Sequence, residues 1–427
     1  MKITFYGGAD EVGRSCIEVQ EGNHKLLMDC GVKLGTVEEY PLIKRIPKNI
    51  IITHTHLDHA AYLPHIFRKP RNITLYMTKP TRDLLQLMIA DYMRVSKNSF
   101  DNSQVMNNML KQCKAIDFDE IVDCGGICFS LHRSGHVLGS ASVLIHSVNG
   151  NLLYTSDLNT RAGRITDAAE FGLKAKTLVI ESTYGERTLP STKEITSQMI
   201  KFVNDTLRRN GRVVIPSFAV GRAQEILLFL DACMKNGLID PAPVYIDGMI
   251  KKALRIYRHN IMYAKEELQR SLLVSDVDPF KSRYIFIPQR QDRSDAIEEG
   301  SIIVTTSGML KGGPVLTYLK HLGNDKRNLL LFVGYQAPGT PGRALLDGAR
   351  KIRLNGEELE IKMKIANVGM SGHADFNGLI QYIHNISGLE KVIIVHGEQG
   401  AREHLKEALK DNYEVILPAN GESITLF

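Results

Sequence analysis

The chain has 427 residues, 43% of them hydrophobic and 23% charged, with a formal net charge of +6. That length exceeds what one hydrophobic core usually supports and predicts two domains, and the composition excludes a disordered or low-complexity protein. No run approaches the roughly 18 apolar residues of a membrane span, and the start lacks the basic and apolar stretches of a signal peptide, so a soluble, cytoplasmic, wholly ordered protein is expected.

In chain order, short strands are predicted at Lys2 to Tyr6, Ser15 to Gln20, Lys25 to Asp29 and Asn49 to Thr53, with Glu21-Gly22-Asn23 as a hairpin turn. Helical periodicity follows from Thr81 to Arg94, where Leu84, Leu85, Leu87, Met88 and Met93 share a broad face. Strands return at Ile127 to Arg133, Ala141 to His146 and Leu152 to Thr155. From about residue 200 helices alternate with short apolar runs: Val213 to Pro216, Val244 to Asp247, Ser301 to Thr305 and Leu329 to Val333. Such runs predict parallel strands buried on both faces, with the helix Arg222 to Met234 between two of them. Strand Val392 to Val395, helix Arg402 to Lys410 and strand Glu414 to Leu417 close the chain, and no internal repeat appears.

Charge is uneven along this order, since residues 185–366 carry 28 Lys plus Arg against 20 Asp plus Glu and the remainder 25 against 27. A basic segment beside an acidic one suits a polyanionic partner, although a solvated surface has the same composition. The six cysteines Cys16, Cys30, Cys113, Cys124, Cys128 and Cys233 contain no CxxC pair, which fits core thiols in a reducing compartment. Cys124 and Cys128 lack the second pair that a closed zinc site needs.

The run Thr53-His54-Thr55-His56-Leu57-Asp58-His59 follows the apolar strand and carries the strongest chemical signal. His54 and His56, two apart in extended chain, point to one side and can share a cation, while a turn swings Asp58 and His59 towards a second. His136 in Ser134-Gly135-His136, Asp157 in Thr155-Ser156-Asp157 and His396 in Val395-His396-Gly397 each follow a strand or sit beside glycine and complete the donor count. The expected arrangement is His54, His56 and His136 on one zinc, Asp58, His59 and His396 on another, and Asp157 on both. Manganese would also accept these donors. Asp29 ends an apolar strand and is expected to accept an N–H from a ligand histidine. His24, His65, His132, His146, His259, His321, His384 and His404 have no such context and are read as structural.

With Asp29, His136 and Asp157, the HxHxDH run resembles the metallo-β-lactamase superfamily, which implies an αββα sandwich with metals at one edge. Glu181-Ser182-Thr183-Tyr184-Gly185, the run from Arg212 to Glu225, Ser371-Gly372-His373-Ala374-Asp375 and Val395-His396-Gly397-Glu398 resemble the β-CASP nucleases over nearly the whole chain. The fold implied is α/β, a sandwich in two pieces, residues 1–184 and 367–427, interrupted by a parallel-sheet β-CASP domain at 185–366. The opening from Gly7 to Cys16 is more similar to the nuclease subunit of the cleavage and polyadenylation specificity factor than to ribonuclease J. An archaeal-type member without preceding KH modules and their GxxG loops is therefore expected. The family's three further motifs fall on Glu181, His373 and His396, and a histidine at the last resembles the RNA-processing members, where DNA-repair members have valine.

This resemblance implies a zinc-dependent ribonuclease in RNA processing or decay that cuts single-stranded RNA endonucleolytically, from the 5′ end, or both, leaving 5′-phosphate and 3′-hydroxyl ends. A hydroxide held between two metals is the expected nucleophile, with His373 and Glu181 as the acid pair. The insert is expected to cap the site as a cleft for one strand, and the chain to act as a homodimer or within an RNA-processing complex. Ser307 and Ser371, beside glycines, are candidate phosphate contacts, as are Lys251, Lys252, Arg255 and Arg258, with Tyr184 or Phe218 as stacking platforms. A small-molecule hydrolase would lack the insert, a DNA nuclease would carry valine at 396, and a non-catalytic scaffold would have lost ligands.

Overall fold

A computed structural model describes residues 1–426 apart from 36, 97, 99, 290, 292, 299 and 355. Along the strand Lys2–Gly7 the side chains of Ile3 and Phe5 are fully buried and alternate with partly exposed neighbours, the pattern of a sheet with one face in a core. Seven strands build that sheet, in the order Ser423–Thr425, Lys2–Gly7, Cys16–Glu21, His24–Met28, Asn49–Ile51, Thr74–Met77 and Cys113–Ala115. Seven more build a second: Glu414–Ile416, Lys391–Ile394, Thr177–Ile180, Leu152–Tyr154, Ala141–His146, Cys128–Arg133 and Val122–Asp123.

Phe5, Ile17 and Met28 of the first sheet share one core with Phe129, Val143 and Val179 of the second, so the sheets pack face to face. Helices Lys79–Val95 and Asn102–Leu110 bury Leu85, Ile89, Val105 and Met109 against the outer face of the first sheet. Phe376–His384 and Gln399–Leu409 do the same for the second through Leu379, Ile383, Leu405 and Leu409. This is the αββα sandwich, and strands of the C-terminal piece complete both sheets.

The sandwich comprises Met1–Thr188 and His373–Phe427, and Leu189–Gly372 form a second compact unit. The expectation placed the insert at 185–366. Local bonds account for the observed limits: Gly185 N–H donates to Ser182 O at 3.0 Å and Phe376 N–H to Arg187 O at 2.9 Å, which holds 185–188 in the sandwich. At the other limit Lys364–Asn367 is a strand of the inserted sheet.

In the inserted unit six strands, Ile285–Phe286, Val244–Asp247, Ile302–Thr305, Val213–Pro216, Leu329–Phe332 and Lys364–Asn367, pair in parallel in that order. Helices Thr192–Leu207, Arg222–Lys235 and Ile250–His259 contribute to the core on one face, and Val315–Leu322 and Pro341–Leu346 to that on the other. Burial on both faces explains why the three central strands, Ile302–Thr305, Val213–Pro216 and Leu329–Phe332, are almost wholly apolar. A short antiparallel pair, Lys351–Leu354 with Glu357–Glu360, stands outside the sheet.

Strand direction builds the functional edge of the sandwich. Leu152–Tyr154, Thr177–Ile180 and Lys391–Ile394 are neighbouring parallel strands, so the residues after them, Asp157, Glu181 and His396, emerge at one edge. His24–Met28 and Asn49–Ile51 are likewise parallel in the first sheet and deliver Asp29 and His54.

Candidate metal centre

The chain turns sharply where it leaves these strands: Asp29 (φ 59°), Ser156 (φ 53°) and His396 (φ 48°) are all left-handed, a conformation that costs a non-glycine residue about 1 kcal/mol or more. Gly31 meets a tighter constraint, since a Cβ there would lie 1.7 Å from the carbonyl oxygen of Asp58. Only glycine lets the loop after Asp29 pass under the helix Leu57–Ala60, which carries Asp58 and His59.

The fully buried Asp29 carboxylate accepts from Thr53 N–H and Thr53 Oγ1 at 2.9 Å, from His59 Nδ1 at 2.8 Å and from the Tyr154 hydroxyl at 3.1 Å. Accepting that hydrogen bond from Nδ1–H of His59 leaves Nε2 as the ring nitrogen that can face a cation. Nε2 lies 3.2 Å from Asp157 Oδ1 and 4.0 Å from Asp58 Oδ2.

Asp157 divides the surrounding imidazoles between its two oxygens. Oδ1 faces His59 at 3.2 Å and His396 Nδ1 at 3.5 Å, and Oδ2 faces His54 Nε2 at 3.4 Å and His136 Nε2 at 3.5 Å. The donor atoms of His54, His56, His136 and Asp157 lie within 4.8 Å of one another, and so do those of Asp58, His59 and His396. Nε2 of His54 and of His59, both ring nitrogens of His396 and Oδ1 of Asp157 are buried without a hydrogen-bond partner. Buried polar atoms are rarely left so, and a convergent set of imidazole and carboxylate donors fits divalent cations such as zinc.

The electrostatics agree. Burial, then the neighbouring His54, holds His56 down to about 3, and burial with the charge of His373 holds His136 well below the usual range, so both rings are neutral donors. Burial opposes charge on His59, but Asp157 and Asp29 outweigh it and raise that pKa, so this ring has to release its Nε2 proton before it can act as a ligand. Burial likewise opposes ionisation of Asp157, and the imidazoles around it, led by His59, prevail and keep it a carboxylate.

His373 stands beside this cluster with its Nε2 3.9 Å from Asp157 Oδ2 and its Nδ1 2.9 Å from Glu181 Oε1. Burial opposes its charged form, but Glu181, with help from Asp157, pushes the pKa up to about 9. Glu181 is filled by its partners: Leu158 N–H donates to Oε1 at 2.6 Å, and Thr183 Oγ1 to Oε2. Although Glu181 also lies near Asp157 and His396, those bonds orient it towards His373. The loop of His373 is pinned by Ala374 N–H to Leu158 O at 2.6 Å and by the Arg161–Asp375 ion pair at 2.6 Å.

The structure thus brings together His54, His56, Asp58, His59, His136, Asp157, Glu181, His373 and His396, with Asp29 behind them. Ser307 and Ser371 belong to the inserted unit, where the Ser307 hydroxyl donates to Gly312 O at 3.0 Å within its own loop. On the helix Ile250–His259, Lys251, Lys252 and Arg255 are exposed, and Arg258 pairs with Asp278 at 2.8 Å. Tyr184 is buried with its ring 6.3 Å from that of His373, and Phe218 is exposed in the inserted unit. Sequence reasoning missed Thr53 and Ser156, whose hydroxyls bond each other at 2.6 Å between Asp29 and His54 Nδ1, and the phenol of Tyr154.

Residues 223–345 match the Beta-Casp domain, residues 358–418 the Zn-dependent metallo-hydrolase RNA specificity domain and residues 10–177 the Anti-Pycsar protein Apyc1 model. A transcription termination factor FttA of Methanothermobacter thermautotrophicus is 36% identical, with 100% of this chain and 72% of the relative covered. An RNase J-like protein of Methanocaldococcus jannaschii is 34% identical over 93% of this chain and 92% of its own length. A crystal structure of a protein of unknown function from Enterococcus faecalis superposes with a TM-score of 0.59 at 14% identity, covering 100% of this chain and 99% of that one, a likeness of fold.

Asp29→Asn should keep the fold and weaken the hold on a cation at His59 by about 10- to 100-fold, because the carboxylate no longer fixes that ring. Zinc competition against a chromogenic chelator measures it, and an unchanged affinity would remove Asp29 from this role.

Proposed function

The chain belongs to the β-CASP family of metallo-β-lactamase ribonucleases, in the archaeal branch akin to the cleavage and polyadenylation nuclease, and from that premise we propose that it hydrolyses single-stranded RNA with two zinc ions sharing Asp157. The observation that carries this reading is the division of the Asp157 oxygens between two sets of imidazoles. His54, His56 and His136 would hold one zinc and Asp58, His59 and His396 the other. When bound, such ions supply Lewis acidity, bringing water towards a pKa of about 7 and offsetting charge that develops on the phosphate.

The chain's own residues complete the reaction. Asp29 fixes the His59 tautomer, and Glu181 accepts a hydrogen bond from Nδ1–H of His373 and favours the charged ring, so that Nε2–H is turned towards the cluster. As water oxygen bonds to phosphorus and the P–O3′ bond breaks, His373 Nε2 gives its proton to the departing 3′-oxygen. The products are a 3′-hydroxyl and a 5′-phosphate, and the water's proton leaves to solvent. Manganese fits the same donors.

RNA is favoured by the histidine at 396, which resembles the RNA-processing members, by the RNA specificity match over 358–418 and by the cationic excess of the insert. The names of the archaeal relatives support placing the cutting in transcript processing or termination. Endonucleolytic and 5′ to 3′ exonucleolytic cutting use one set of ligands, and 5′- and 3′-labelled RNA separates them by the sizes released.

In competition at matched salt, single-stranded RNA should be cut faster than duplex RNA or DNA, and faster cutting of duplex DNA would overturn the substrate assignment. His373→Ala should lose about 10²- to 10⁴-fold in rate while retaining both zinc ions. A substrate with sulfur at the 3′-bridging position should largely restore that variant, since a thiolate departs without a proton. Loss of a zinc, or no rescue, would give His373 another part.

A further inference from the structure

We propose that Asp119, His132 and Glu170 form a second kind of cation site on the sandwich, separate from the central cluster and taking a divalent transition ion such as manganese. The strand Cys128–Arg133 turns Phe129 and Leu131 into the core between the sheets and places Ser130 and His132 on the opposite face. Nδ1 of His132 lies 2.9 Å from Asp119 Oδ1 and 3.2 Å from Glu170 Oε1, and the three donors are within 4.8 Å of one another. Its other nitrogen, Nε2, is 2.9 Å from Ser130 Oγ, which also reaches His146 Nε2 at 2.9 Å. That contact fixes the ring so that Nδ1 is aimed at the two carboxylates.

Charge is what this group lacks. Among the described residues no Lys or Arg lies within ion-pair distance of Asp119 or Glu170, and the guanidinium of the adjacent Arg133 sits over the Phe118 ring, 5.0 Å from its centroid. A proton on His132 would offset one of the two negative charges, whereas a divalent ion offsets both and takes the imidazole as a neutral ligand. The second carboxylate oxygen of Glu170, Oε2, is itself buried without a hydrogen-bond partner. The side chain of Asp119 is 58% exposed, which leaves an entrance for an ion that keeps some of its water.

The site would brace the central cluster from outside. Glu170 N–H donates to Arg133 O at 2.9 Å, Ala169 N–H to Asn159 O at 2.8 Å and Asn159 N–H to Ser134 O at 2.8 Å. These bonds lace the segment from Asp157 to Glu170 onto the strand that leads to His136, and a cation at Glu170 and His132 adds a clasp to the lacing.

Titration of zinc-loaded protein with manganese, followed by the paramagnetic signal of the free ion, tests the proposal. One manganese per chain should bind with no zinc released, and a central-cluster variant, His136→Ala, should still bind it. Asp119→Asn and Glu170→Gln should each abolish that binding while their zinc content stays at the wild-type level, which also reports an intact fold. No manganese uptake by the wild type, uptake matched by zinc release, or equal uptake by the two variants would each overturn the site. His136→Ala separates this result from the reading of the central cluster, because it removes a central ligand and leaves Asp119, His132 and Glu170 untouched.

Discussion

A single buried carboxylate, Asp157, sets the terms for the edge of the sandwich. It is 2% exposed, and an ionised carboxylate at that depth is strongly unfavourable unless positive charge or donors surround it. Four imidazoles, from His54, His59, His136 and His396, approach its two oxygens within 3.2–3.5 Å. Yet one of those oxygens and several of the ring nitrogens have no hydrogen-bond partner. Divalent cations between them would resolve this imbalance, since each accepts lone pairs from rings and carboxylate alike.

The backbone has to deliver these groups to one point, and it does so at a conformational cost. Three parallel strands end together, and the chain then turns through left-handed residues at Ser156 and His396, as it does at Asp29 in the other sheet. Close packing holds the turns in place. His396 N–H donates to Gly8 O at 2.8 Å, and a Cβ at Gly397 would come within 2.2 Å of the Ser182 hydroxyl. Strain of this sort survives only where the surroundings over-determine it, and at this edge it falls on Asp29, on His396 and on Ser156 beside Asp157.

Much of this was legible in the sequence because the signals are local. The spacing of His54, His56, Asp58 and His59 is a property of six consecutive residues, and His136, Asp157 and His396 stand out as polar residues beside apolar strands. The parallel insert was legible for the same reason, its central strands being buried on both faces. What escaped depends on pairings across the chain: the Tyr154 hydroxyl meets Asp29 across 125 positions, and His132, read as structural, gains its interest only from Asp119 and Glu170. The helix Thr192–Leu207 was expected only as starting near residue 200, although Ser191 and Glu194 form a capping box whose Ser-x-x-Glu spacing marks its start in the sequence. Its apolar residues Ile195, Met199 and Val203 are four apart, and a reading guided by longer apolar runs passes over them.

The account rests on two cations gathered at one carboxylate, and zinc content is its most direct test. Elemental analysis is best done on zinc-loaded protein carrying Asp119→Asn and freed of loosely held ions, so that only the central cluster is counted. Two zinc ions per chain are predicted, falling to one in protein that also carries His396→Ala. A ratio that stays at one or below under zinc-replete conditions would contradict the shared role of Asp157.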